Sequence, residues 1–436
     1  MEFRKTSIKY IITVTILGVL SLVMFFGFQN NVSEDANKDN QKDTIELTFS
    51  SSWGGMDTKS LALEDFLGEF EKENPGIKIV NRSKGNDDFL FTLKTDFAQG
   101  NEPDVFGLWP GSDLDTLIQV GKVADLTEAL NEDETWKESI KEDTWRYDTS
   151  NGKIYGIPME IIYEGLFVNK DVLDTYRLKI PKTFEELKDV VKSLKYYNID
   201  TPIAFNCTPE GSYLYQNMVM KLGGKEDSEN PYKNGNINSC YIKAMDYLKE
   251  LYDIGAFSKD VFTMDDKARN EKFINKEAAM IVQGSWFIGE VSVKRNDNYV
   301  EIVPFPSFTA GKADDSSLIY GLGNGNFHIS EKVYKDSKKR QAALKLLKYL
   351  TSKEAGEKLV NTTGSISSIK GINRNPKDIL AIKGDDLINN SKELVGPIDS
   401  FMKRSSWENI LVKKMPAMLT GEITPEEIFK EMEENK

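Results

Sequence analysis

The chain has 436 residues, 39% hydrophobic and 29% charged, which suits a folded protein and is too apolar for a mainly disordered one. At roughly 150 residues per domain, its length fits two or three globular units. A formal net charge of -13 and a pI near 5.0 set the surface against phosphate backbones and anionic lipid headgroups, so nucleic acid is excluded as an expected partner.

Arg4, Lys5 and Lys9 precede an uncharged apolar run at 10–28, long enough to span a bilayer with its basic end cytoplasmic. A cleaved secretory signal is the competing reading, but the run is long and no small-x-small site follows in FFGFQNNVSED. An uncleaved signal anchor at 1–28 is therefore expected. The next stretch, QNNVSEDANKDNQKD at 29–43, reads as an unfolded linker reaching roughly 20 Å.

The folded part opens with Ile45, Leu47 and Phe49 alternating with polar residues, a strand. A helix pattern follows at Leu63, Phe66, Leu67 and Phe70, closed by Asn74-Pro75-Gly76 before a second strand at 77–80. Leu90, Leu93 and Phe97 mark a helix closed by Gly100, and a buried strand is expected at 104–108. A second series starts after the strand at 165–168. There Thr183-Phe184-Glu185-Glu186 is a capping box opening a helix with Leu187, Val190, Val191 and Leu194 inward. A strand at 202–205, a helix around Met245, Leu248 and Tyr252, and a strand at 278–282 continue the alternation. A helix through Ala343, Leu346, Leu347 and Leu350 and a proline-started one at Thr424-Pro425-Glu426-Glu427 complete it. Parallel sheet covered by helices is the economical reading.

Several chemistries lack their residues. The single histidine, His328, sits in an apolar strand-like run at 326–329 and reads as structural. There is no HExxH, no Gly-x-Ser-x-Gly elbow and no phosphate-binding GxxxxGK[S/T] loop. The glycines of Gly321-Leu322-Gly323-Asn324-Gly325 precede no long helix pattern, so they suit a crossover between lobes better than a dinucleotide site. Paired carboxylates for glycoside hydrolysis would be decided only by their spatial separation. Cys207 and Cys240 form no CxxC and build neither a disulfide framework nor a cysteine zinc site. One Cys207 to Cys240 bridge and two buried free thiols stand as alternatives.

Several stretches, in order and spacing, carry a family pattern: FEKENPGIKI at 70–79, PDV at 103–105, GKIYGIP at 152–158, VNKD at 168–171, PKTFEE at 181–186, and KEAAM at 276–280 leading to GSW at 284–286. From about Thr44 onward the chain resembles the maltose-binding-protein-like, family 1 extracellular solute-binding components of ABC importers. The resemblance implies an α/β, two-lobed, periplasmic-binding-protein-like fold of type II with a hinge cleft. It assigns 44–159 plus 324–375 to lobe 1 and 160–323 plus 376–436 to lobe 2. It also implies an extracellular receptor that closes on a carbohydrate and serves a permease, with no enzymatic step, no cofactor and no metal, as an expected monomer on the outer face of the bacterial cytoplasmic membrane. The chain departs from many members in having no cysteine near the end of its apolar run. That leaves a sensing subunit of a signalling system as an alternative to import, with a secreted glycosidase further behind.

Sugar sites combine aromatic platforms with hydrogen-bonding side chains. Trp53 follows the first strand at its C-terminal end, where open α/β sheets bind ligands, and core packing is its other reading. Asp57 opens the first helix and suits either a sugar hydroxyl or a helix cap. The resemblance points further to Trp109 in the loop after the 103–105 strand, to Glu160 and Tyr163 in the first crossing, to Trp286 in the Gly-Ser-Trp turn, and more loosely to Tyr213, Arg404 and Trp407. Each has packing as its alternative.

Overall fold

In the computed structural model the described residues are 44–55, 58–290 and 299–434. The anchor expected at 1–28, the linker at 29–43 and Asp57 lie outside them. No helix among the described residues is long and apolar enough to cross a membrane.

Two sheets organise the body from Ile45 onward. Strand Ile45–Ser50 buries Leu47 and Phe49 on the core side, and helix Thr58–Glu73 lays Leu63, Phe66, Leu67 and Phe70 against the same core. Strands Ile77–Asn81 and Val105–Gly107 pair in parallel with Ile45–Ser50 on its two edges. Asn326–Ile329 adds antiparallel beside Val105–Gly107, and Ile157–Pro158 beside that.

The second sheet is built on the long strand Glu160–Asn169, all ten residues of which are buried. One edge pairs with Leu318–Leu322 and then Val300–Val303; the other pairs with Ile366–Ser367 and then Ala278–Gly284. Thr201–Ala204 and Leu394–Val395 extend the sheet outward. Ile161, Tyr163 and Phe167 fill one core, whereas Leu166 and Val168 face another on the opposite side, so both faces carry apolar layers.

The backbone passes between the sheets at Met159 and again through 323–325. Met159 N–H donates to Gly325 O at 2.7 Å, and Gly323 N–H to Glu160 O at 3.3 Å. A Cβ at Gly325 would stand 2.8 Å from the Trp53 ring and 2.9 Å from Glu160 Cβ, so only glycine fits there. A third contact follows helix Lys353–Thr363. Ile366–Ser367 joins the long strand, Ile369 returns to bridge Ile140 of the first lobe, and helix Ile379–Asn390 then packs on Val300–Val303 of the second.

The elements read from hydrophobic periodicity form within a few residues of their expected places. Of the two alternatives for the cysteines the free-thiol one holds: Cys207 and Cys240 are both free. The capping box at Thr183 forms in full, with Thr183 Oγ1 accepting from Glu186 N–H and Glu186 accepting from Thr183 N–H. Thr183→Ala is expected to lower unfolding free energy by about 1 kcal/mol, read as a shifted midpoint with unchanged slope in urea denaturation.

Candidate functional site

At the crossing, polar side chains from both lobes converge on buried ground. Trp53 follows the first strand, is 2% exposed, and stands edge-on to Phe327 with ring centroids 5.9 Å apart. The Lys59 ammonium lies 5.7 Å from the Trp53 ring centroid and forms an ion pair with Glu160 at the start of the long strand. Ser365 Oγ donates to the same Glu160 oxygen at 2.8 Å. What remains is unpaired: Trp53 Nε1, Glu160 Oε2 and Ser52 Oγ are all buried with no hydrogen-bond partner. Buried polar atoms of this kind cost about 1–3 kcal/mol each.

The second lobe supplies an aromatic pair. Trp286, in the turn after Ala278–Gly284, is partly exposed and meets the edge of Tyr213 at 5.5 Å and 72°. Both aromatics stand on one polar network. Arg269, 1% exposed, donates to Glu210 Oε1 at 2.6 Å and to Asn206 Oδ1 at 3.1 Å. Gln283 Nε2 donates to the same Glu210 carboxylate, while Gln283 Oε1 accepts from Gly284 N–H at 2.9 Å. The loop leading into Tyr213 and the strand end leading into Trp286 are thereby fixed to each other.

A further contact spans the lobes. Arg404 Nε donates to Asp113 Oδ2 at 2.6 Å, its backbone N–H donates to Ser112 Oγ at 3.1 Å, and its guanidinium lies 4.9 Å from the Trp109 ring centroid. Glu408, on the Arg404 side, holds Nη1 at 2.8 Å.

Two of the residues expected as contacts lie in the core of this structure. Tyr163 is fully buried on the opposite face of the long strand from Glu160, packed with Ile161 and Phe167 and against Gly384. Alternation along the strand turns it into the core. Trp407 is also buried, and its indole N–H is already satisfied by Ser212 Oγ at 3.3 Å, so it packs beside Tyr215. Among the described residues no cluster of three or more His, Cys, Asp or Glu side chains could hold a metal.

Sequence reasoning missed Lys59, Ser365, Asp113 and Glu164. A lysine in a first helical turn or a serine in a loop carries no local signal of its partner across the fold. Glu164 did carry one: it is a carboxylate within the apolar run EIIYEGLFVN. It is buried and accepts from Asn217 Nδ2 at 2.8 Å. Burial, with Asp399 nearby, holds its carboxyl well above the usual carboxylate range, and the Asn217 bond opposes this only in part. Asp399 is raised as well, chiefly by burial, with Arg404 opposing.

The sign for Glu164 follows from linkage. A folded-state value above the unfolded one means that folding favours the proton, so its contribution is full below the unfolded value of about 4.3. That contribution is lost as pH rises toward the folded value. Glu164→Gln keeps an acceptor for Asn217 and cannot ionise. It is expected to gain stability relative to the parent as pH is raised above that unfolded value, measured by urea denaturation across a pH series. A constant difference at all pH values would contradict the assignment.

Comparison with known proteins gives a consistent picture. A model for bacterial extracellular solute-binding proteins matches residues 57–357. The "Multiple sugar-binding protein" of Streptococcus mutans is 26% identical over 375 residues, covering 84% of each chain. The "Galactooligosaccharide-binding protein" of Bacillus subtilis is 24% identical over 326 residues, covering 73% of this chain and 72% of its own. Among solved structures, one from work on xylan utilization by the thermophilic bacterium Caldanaerobius polysaccharolyticus superposes with a TM-score of 0.79 at 26% identity, covering 90% of this chain and all of that one. A chitin oligosaccharide binding protein superposes with a TM-score of 0.77 at 22% identity, covering 90% and 98%.

Proposed function

This chain belongs to the bacterial extracellular solute-binding protein family, and we propose that it captures a mono- or oligosaccharide between its two lobes and presents it to an ABC importer permease. The observation that carries the proposal is the set of unpartnered buried groups at the crossing: the indole N–H of Trp53, Glu160 Oε2 and the Ser52 hydroxyl. A donor and an acceptor left open at one crossing can both be satisfied by hydroxyls, which donate and accept at once. A simple cation or anion satisfies only one of them. The partly exposed Trp286, braced by Tyr213, offers the apolar face on which a sugar ring stacks.

The ligand set we assign is Trp53, Glu160, Trp286 and Tyr213, with Trp109 and Arg404 at the rim, and Asp57 on the strength of the sequence alone. The lobes are taken as 44–159 with 324–375 and 160–323 with 376–436. The basic residues and apolar run of 1–28 support an uncleaved anchor on the outer face of the cytoplasmic membrane, with a monomeric receptor held outside. The relatives named above are described as binding proteins, which supports a receptor that transforms nothing.

A thermal-shift and calorimetric screen of the folded body over xylo-, malto-, galacto- and chito-oligosaccharides tests this reading. At least one class is expected to raise the melting temperature, and Trp286→Ala is expected to weaken that class roughly tenfold or more, about 1.4 kcal/mol. No response to any sugar, or turnover of chromogenic glycosides, would overturn the proposal.

A further inference from the structure

Arg374 lies in the loop between helix Lys353–Thr363 and helix Ile379–Asn390, and its side chain is mostly buried. The guanidinium donates in three directions from one rigid plane. Nη2 reaches Ser365 O at 2.8 Å, Nη1 reaches Val360 O at 3.4 Å, and Nε reaches Asp385 Oδ2 at 2.7 Å. Val360 O belongs to the last turn of its helix, where open carbonyls favour a cation. Asp385 anchors the charge from the next helix.

Ser365 is the residue on which this fork bears. It sits between Gly364, whose φ of 75° ends the helix, and strand Ile366–Ser367. Its N–H donates to Thr363 Oγ1 at 3.1 Å, and its carbonyl receives Arg374. With both backbone groups held, the peptide planes beside Ser365 resist turning, and its hydroxyl stays on Glu160 Oε1 at 2.8 Å. The Lys59 ammonium pairs with that same oxygen. Two donors on one carboxylate oxygen fix the plane of the group. Oε2, which has no hydrogen-bond partner, is left against bare backbone: a Cβ at Gly323 would stand 2.7 Å from it.

The loop carrying Arg374 is held by other bonds as well. Asn361 Nδ2 donates to Asn373 O at 3.0 Å, Asn375 N–H donates to Asn361 Oδ1 at 2.7 Å, and Asn373 N–H donates to Glu357 Oε1 at 3.1 Å. The backbone on both sides of position 374 therefore keeps its own anchors when the side chain changes. What the guanidinium adds is the link from Asp385 to the Ser365 carbonyl.

We infer that Arg374 is a positioning residue for recognition: through the Ser365 carbonyl it aims the Ser365 hydroxyl at Glu160, and so sets the direction from which Glu160 Oε2 accepts a ligand hydroxyl. This role rests on the carbohydrate reading above, and Arg374 itself touches no ligand. Lysine at 374 would keep the charge, but its single nitrogen cannot reproduce the spread of the guanidinium fork. The Ser365 carbonyl then loses its donor, and the hydroxyl loses its fixed direction.

The test is calorimetric titration of the full chain, Arg374→Lys, Ser365→Ala and the double variant with xylotetraose, maltotetraose, galactotetraose and chitotetraose. For a sugar that the parent binds, each single variant is expected to bind about tenfold more weakly, and the double variant no more weakly than either, because both changes remove one contact. Additive losses, or parent-like binding by Arg374→Lys, would overturn this role while the carbohydrate reading stands. A parent that binds none of the four overturns both together. A part in stability alone would lower the urea midpoint of Arg374→Lys and leave the losses additive. Should Arg374→Lys fail to fold, Asp385→Asn, which weakens the outer anchor of the guanidinium, takes its place in the same cycle with the same outcomes.

Discussion

The structure depends on a strip of backbone where two sheets meet with no room for side chains. Met159 and Gly325 exchange the hydrogen bond that joins the passing strands, and Trp53 and Glu160 close over Gly325 from either side. Placing a tryptophan and a glutamate against bare backbone leaves polar atoms with nothing to bond to. The geometry that allows the two sheets to be connected is thus the same geometry that leaves those polar atoms open.

That economy extends to the second lobe. Arg269 and Gln283 converge on Glu210, and the two aromatics stand at the ends of the segments this network ties together. The two rings are thereby held on a rigid base. A charged network away from the surface suits this purpose, because its geometry is set by hydrogen bonds that admit few alternatives.

Much of this was legible in the residues. Alternation at Ile45, Leu47 and Phe49, the helix stripe ending at Asn74-Pro75-Gly76 and the capping box at Thr183 all depend on neighbours within one turn or strand, and they formed as read. Glycine crowding at 321–325 pointed to a crossover, and the chain crosses there. Side-chain placement was less legible, for a non-local reason. Strand phase turns Tyr163 into a core, and Trp407 is buried with its indole N–H bonded to Ser212. Lys59 and Asp113 became visible only when the fold brought Glu160 and Arg404 to them.

The contacts of Arg404 with Asp113, Ser112 and Trp109 draw the segment after strand Val105–Gly107 to the C-terminal part of the chain through two hydrogen bonds and one ring contact. Arg404 and Asp113 are both largely shielded from solvent, and a shielded ion pair is screened by salt less than an exposed one. The spacing of these two segments is therefore set by the protein's own side chains over a wide range of ionic strength.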